Sequence, residues 1–170
     1  MDNWLEDFRR TLDSAVEQLL LISEAESAVA KAAGKWSAKE IIGHLIDSAS
    51  HNHQRFVRAQ FKDDLVFPGY EQEEWVRVQR YNDEPWQRLV QLWWHYNSHI
   101  LHVMSTVPVP TRTKLRAKHN LHQLAWKPVD EREPVTLEYF MRDYVDHLQH
   151  HLRQIFDAPA SHSGGNELSK

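Results

Sequence analysis

The sequence predicts an all-α four-helix bundle, running up-down-down-up with a long crossover between its second and third helices. Four segments of about twenty residues repeat apolar side chains at three-and-four spacing. No segment alternates as a half-buried strand would, and only 5 of 170 residues are glycine.

The first helix is expected from about Asn3 to Ala25, with Leu5, Phe8, Leu12, Val16, Leu19 and Leu20 on one face. Gly34 then interrupts the pattern. "SAKE" at Ser37–Glu40 has the form of a capping box, the serine hydroxyl accepting a backbone amide while Glu40 reaches back. It opens a second helix to about Phe61 that buries Ile41, Leu45, Ala49, Asn52 and Phe56. A linker over 62–82 contains the Pro68-Gly69 turn signal. The third helix is expected to begin with Asp83 as N-cap and Pro85 in its first turn, where a missing amide does no harm. It should end before Pro108 and Pro110, and residues 107–135 form a second long connection with a short helix around 114–124. Thr136 caps the fourth helix, "LEYFMRDYVDHLQHHLRQIF", which ends before Pro159. The expected organisation is one domain over 1–158 and a disordered tail over 159–170.

Composition narrows the partners. A formal charge of −4 and a pI near 6.3 argue against nucleic acid, whose phosphates require a basic face. No run approaches the ~20 apolar residues of a membrane span, and no signal segment opens the chain. Cysteine is absent, which excludes disulfides and thiolate metal sites and fits a reducing cytoplasm. A cytoplasmic protein acting on a small molecule is the expectation.

Twelve histidines are the unusual number, and nine of them cluster in residues 44–53, 95–102 and 147–151. On the fourth helix, His151 lies roughly 40° and His147 roughly 80° from the centre of the apolar stripe, while His150 turns about 140° away. His147 and His151 can therefore aim at one point, and His150 is not expected to join them. On the second helix His44 flanks the apolar face in a row with Ser48, His51 and Arg55. His44 should lie about 10 Å below the start of its helix, and His147 and His151 about 15 and 9 Å below the end of theirs. The three rings share a level only if helices two and four are antiparallel. That requires a connection along the bundle between helices two and three, and twenty linker residues can span ~60 Å.

"KWSAKEIIGHLIDSASHNHQRF" followed by "TLEYFMRDYVDHLQHHLRQI" resembles the DinB-like superfamily, specifically its YfiT-like branch of metal-dependent enzymes. The shared signature is a Trp-Ser helix start, "HxxDS", Asn and "RF", then "HxxHH" on the last helix. The resemblance implies the crossover bundle and a three-histidine site that falls on His44, His147 and His151. It also implies one divalent ion, zinc or nickel foremost, and either hydrolase chemistry or transfer chemistry on low-molecular-weight thiols.

Three neutral imidazoles with an open position suit such a Lewis acid. Asp47, three residues after His44, and Asp143, four before His147, are candidates to hold a ring proton or a water. Arg55 is a candidate clamp for an anionic substrate. Asp47 and Arg55 are accordingly the catalytic candidates. His95, His99 and His102 are expected to line the cavity or face solvent, and His119 and His122 to sit in a loop. Trp94 is expected to face outward on a homodimer surface, and "RTKLRAK" at 112–118 to be a solvated loop or an anion-binding one. There is no HExxH, Walker loop or GxGxxG. Rivals to an enzyme are a metal sensor and a dimerisation bundle with incidental histidines.

Overall fold

The structure is a computed structural model that describes residues 2–157; the expected tail at 159–170 lies outside the described residues. Four long helices form the bundle: α1 (Asn3–Leu20), α3 (Ala38–Arg58), α5 (Trp86–Thr106) and α8 (Leu137–Phe156). Short helices occupy the connections: α2 (Glu24–Ser27), α4 (Gln72–Gln79), α6 (Val109–Thr113) and α7 (Leu121–Leu124). Among the described residues the only extended pairing is two isolated bridges, Leu65 with His119 and Arg116 with Val135.

Side-chain pairs fix the direction of each helix. Phe56 near the end of α3 meets Phe140 near the start of α8, while His44 near the start of α3 meets His151 near the end of α8. These two helices are therefore antiparallel. Lys39 bonds the Glu84 carbonyl just before α5, and His53 packs on His99 farther along it, so α3 and α5 run parallel. The Trp86 indole donates to the Leu19 carbonyl, which sets α5 antiparallel to α1. Phe8 lies against Tyr144, and Gln149 donates to Thr11. This is the expected up-down-down-up order.

The core forms where the apolar stripes meet, with Phe8, Phe56, Trp93, Phe140 and Met104 excluded from solvent. Burying each such side chain contributes about 1.5–3 kcal/mol. One polar bridge crosses it: the Tyr144 hydroxyl donates to Asn97 Oδ1 at 2.5 Å.

Several boundaries differ from the expectation. The first helix ends at Leu20, because Ser23 and Glu26 form a second capping box that starts α2 afresh. Leu20, expected on the buried face, is consequently 47% exposed, and Leu21 beyond it is 85% exposed. The α3 box at Ser37 and Glu40 forms as expected, but the helix stops at Arg58. Asp83 is not an N-cap: it lies in a 3-10 turn over Tyr81–Asp83, and Pro85 precedes the first helical residue. Trp94 is half-buried against the core rather than outward-facing. The basic run is solvated at Lys114 and Lys118 but not at its arginines. Arg112 is buried in ion pairs with Asp2 and Glu138, and Arg116 is buried on the Ala59 and Thr111 carbonyls.

Candidate metal centre

Because α3 and α8 run antiparallel, His44 meets His147 and His151 at one depth. One nitrogen from each of the three rings lies within 4.8 Å of the other two. His44 Nε2 and His147 Nε2 are 3.3 Å apart. Two nitrogens bound at about 2.0–2.1 Å around a tetrahedral ion stand about 3.3 Å from each other, so this pair has the spacing of adjacent ligands. His150 is outside the trio and packs on the Trp126 ring.

Burial keeps these rings neutral, the state in which imidazole donates a lone pair to a cation. His44 is 1% exposed. Desolvation, reinforced by the neighbouring His151, pulls its pKa down to about 3. His147 is likewise pulled down to about 3 by burial and then by the adjacent imidazoles. Burial lowers His151 too, against an opposing hydrogen bond from Gln154. That bond, 2.8 Å from His151 Nδ1 to Gln154 Oε1, makes Nδ1 the protonated nitrogen. The Nε2 lone pair is then the one left for a ligand bond. Gln154 Nε2 meanwhile lies 3.1 Å from His150 Nε2, so one amide bridges the two rings.

The carboxylates do something other than support the rings. Asp47 Oδ1 accepts from the Tyr81 hydroxyl at 2.7 Å and Gln79 Nε2 at 2.8 Å, so it ties α3 to the crossover. His44 Nδ1 is buried without a hydrogen-bond partner, and Asp47 does not reach it. Three helical steps rotate Asp47 by about 60° from His44, towards α4. Gly43 makes the approach possible, because a Cβ there would stand 2.0 Å from the Tyr81 ring. Asp143 also bypasses the rings. It accepts the Trp126 and Lys127 amides, both at 2.8 Å, and so holds Trp126 beside His147 and His150. Burial raises the pKa of both acids, against their hydrogen bonds.

His147 and His151 open onto a cavity of about 400 Å³ whose wall includes Ser48, Asn52, Arg55, Tyr70 and Trp126. Arg55 is buried, donating to the Pro68 carbonyl at 2.8 Å and to Asn52 Oδ1 at 3.3 Å. No carboxylate pairs with it among the described residues, and burial alone lowers its pKa. A buried guanidinium bonded only to neutral acceptors is suited to an incoming anion.

Of the other histidines, His95, His99 and His102 are exposed on α5, away from this cavity. His119 is buried in the second connection, between the Glu133 carbonyl and the Leu121 amide. Gln154 and Tyr81 are the residues that sequence reasoning missed. The i+3 spacing from His151 to Gln154 was a readable signal, whereas Tyr81 lies in a linker and becomes relevant only through the fold.

A family model described as the DinB superfamily matches residues 5–155. Among solved structures, YfiT from Bacillus subtilis, titled a probable metal-dependent hydrolase with an unusual four-helix bundle topology, superposes with a TM-score of 0.69. It is 16% identical, over 91% of this chain and 86% of that one. The mycothiol-dependent maleylpyruvate isomerase superposes with a TM-score of 0.58 at 13% identity, over 89% of this chain and 55% of that one. This chain thus spans about half of the isomerase. No curated protein matches the sequence.

Proposed function

The chain belongs to the DinB superfamily, and from that membership and its converging imidazoles we propose that it is an enzyme dependent on one divalent metal ion. His44, His147 and His151 are the ligands, with zinc or nickel the metal that fits three neutral nitrogens. When bound, the ion supplies a Lewis acid that lowers the pKa of a coordinated water or thiol towards neutrality. The protein's own part is to orient and to exclude. Gln154 holds the His151 tautomer, Trp36 covers the His44 ring at a centroid distance of 5.1 Å, and Arg55 receives an anionic group of the substrate. Asp47 acts at a distance, by fixing the crossover that carries Tyr70 to the cavity wall.

The reaction is hydrolysis, or transfer onto a low-molecular-weight thiol. The hydrolase title of YfiT and the thiol cofactor named for the isomerase support one branch each. The observation that carries the proposal is the meeting of three imidazoles, one buried and two half-buried, from two antiparallel helices. It is tested by assaying zinc- or nickel-loaded, untagged protein on esters and amides, and on electrophiles with low-molecular-weight thiols. Turnover should follow metal content and vanish in His44→Ala. Rates indifferent to metal removal would refute it. So would an absence of turnover while metal changes only stability or assembly, which is how a sensor or dimerisation bundle would behave.

A further inference from the structure

A second, larger cavity of about 780 Å³ adjoins the histidine trio. His151 is on the wall of both cavities, with its Gln154 partner on this one. Apolar side chains, among them Leu21, Ile22, Val29 and Ile41, make most of the remaining wall, which charged Glu26 and Glu73 and two lysines share. Leu21 and Val29 are 85% and 67% exposed at its mouth. The enclosure is built rather than incidental. Its roof is the segment between α2 and α3, which turns at Gly34 with φ of 72°. Lys31 fastens that roof to the end of α8 by donating to the Ile155 carbonyl at 2.7 Å and to the Asp157 carbonyl. Trp36 lies between roof and trio, its ring 5.1 Å from that of His44 and 6.5 Å from that of His151.

We propose that this cavity binds the apolar tail of the substrate, a medium-length alkyl chain or an aryl group, whose polar reacting end lies at His151. A fully polar substrate would leave this hydrocarbon wall in water, whereas a tail removes it from water, a favourable transfer that grows with the apolar area covered. The two cavities then divide one amphipathic substrate: tail under the α2–α3 roof, anionic group at Arg55. The assignment rests on the proposed metal centre for the position of the head, but not for the tail.

The test is calorimetric titration of acetohydroxamate and octanohydroxamate into zinc-loaded protein, repeated with acetate and octanoate on metal-free protein. The eight-carbon ligand should bind at least tenfold more tightly than the two-carbon one in both series. Leu21→Asp and Val29→Asp, both at exposed positions that a folded chain tolerates, should each bring the ratio towards one while melting as the wild type does. Equal affinities across chain lengths, or a preference unchanged in both variants, would overturn the proposal. Failure of the metal centre is separable from this result: hydroxamate affinity would then be indifferent to zinc, while octanoate would still outcompete acetate.

Discussion

Gln154 Oε1 lies 2.8 Å from His151 Nδ1 and reserves the opposite ring nitrogen for the histidine trio. This exposed glutamine sets a tautomer without touching the proposed ion. Removing such an outer partner typically weakens metal affinity 10- to 100-fold. Gln154→Leu should weaken zinc binding by about tenfold with little change in melting temperature. A competitive titration against a chromophoric chelator reads the affinity, and an unchanged value would deny Gln154 this role.

Gly43 and Tyr81 form a second dependent pair. A methyl group at position 43 would overlap the Tyr81 ring, so Gly43→Ala must displace Tyr81 and break its bond to Asp47. Overpacking of this kind costs about 1–3 kcal/mol. Tyr81→Phe keeps the ring and loses only the hydroxyl, for a smaller loss of about 1 kcal/mol. Urea unfolding should rank the two variants in that order.

The buried imidazoles also give the metal-free protein a pH signature. An unfolded imidazole takes up a proton near pH 6.5, whereas folded His44 and His147 resist protonation down to about 3. Their contribution is complete above the unfolded value and is lost as pH falls below it. The slope is at most about 1.4 kcal/mol per pH unit for each ring. Asp47 and Asp143, whose pKa values burial raises, act with the opposite sign, so the ring's own share is read over the window pH 7 to 5 as the difference from His44→Gln. Denaturant midpoints of metal-free protein should fall across that window, and less steeply in His44→Gln. A flat wild-type profile would mean that the rings are not held neutral.

Arg55 gives a test of charge selectivity. Benzoate and benzamide differ little in shape but carry different charge, and a charge-assisted bond to Arg55 should favour benzoate by roughly tenfold, about 1.4 kcal/mol. Arg55→Met should abolish that preference while zinc content is maintained. A preference that survives the substitution would place anion recognition elsewhere.

Much of this was legible in the sequence because helical periodicity is a local property. Thr136 and Leu137–Phe156 appear where the capping and the three-and-four spacing put them. The antiparallel relation of α3 and α8 was accessible through the depths of His44, His147 and His151, a long-range fact carried by short-range spacing. What escaped depends on partners that only the fold supplies. Asp47 and Asp143 have the right spacing to serve the histidines, yet a hydroxyl and two backbone amides from distant segments claim them first. Arg112 and Arg116 look solvated in a basic run, but they are buried because Glu138 and the Ala59 carbonyl come to meet them.

Metal stoichiometry in purified, untagged protein, by elemental analysis of the wild type and of His44→Ala, His147→Ala and His151→Ala, bears most directly on the trio. The expected result is one zinc or nickel ion per wild-type chain and loss of tight binding in all three variants, each remaining helical. A full equivalent of metal retained by His44→Ala would contradict it, because the ion would then owe nothing to the contact between α3 and α8.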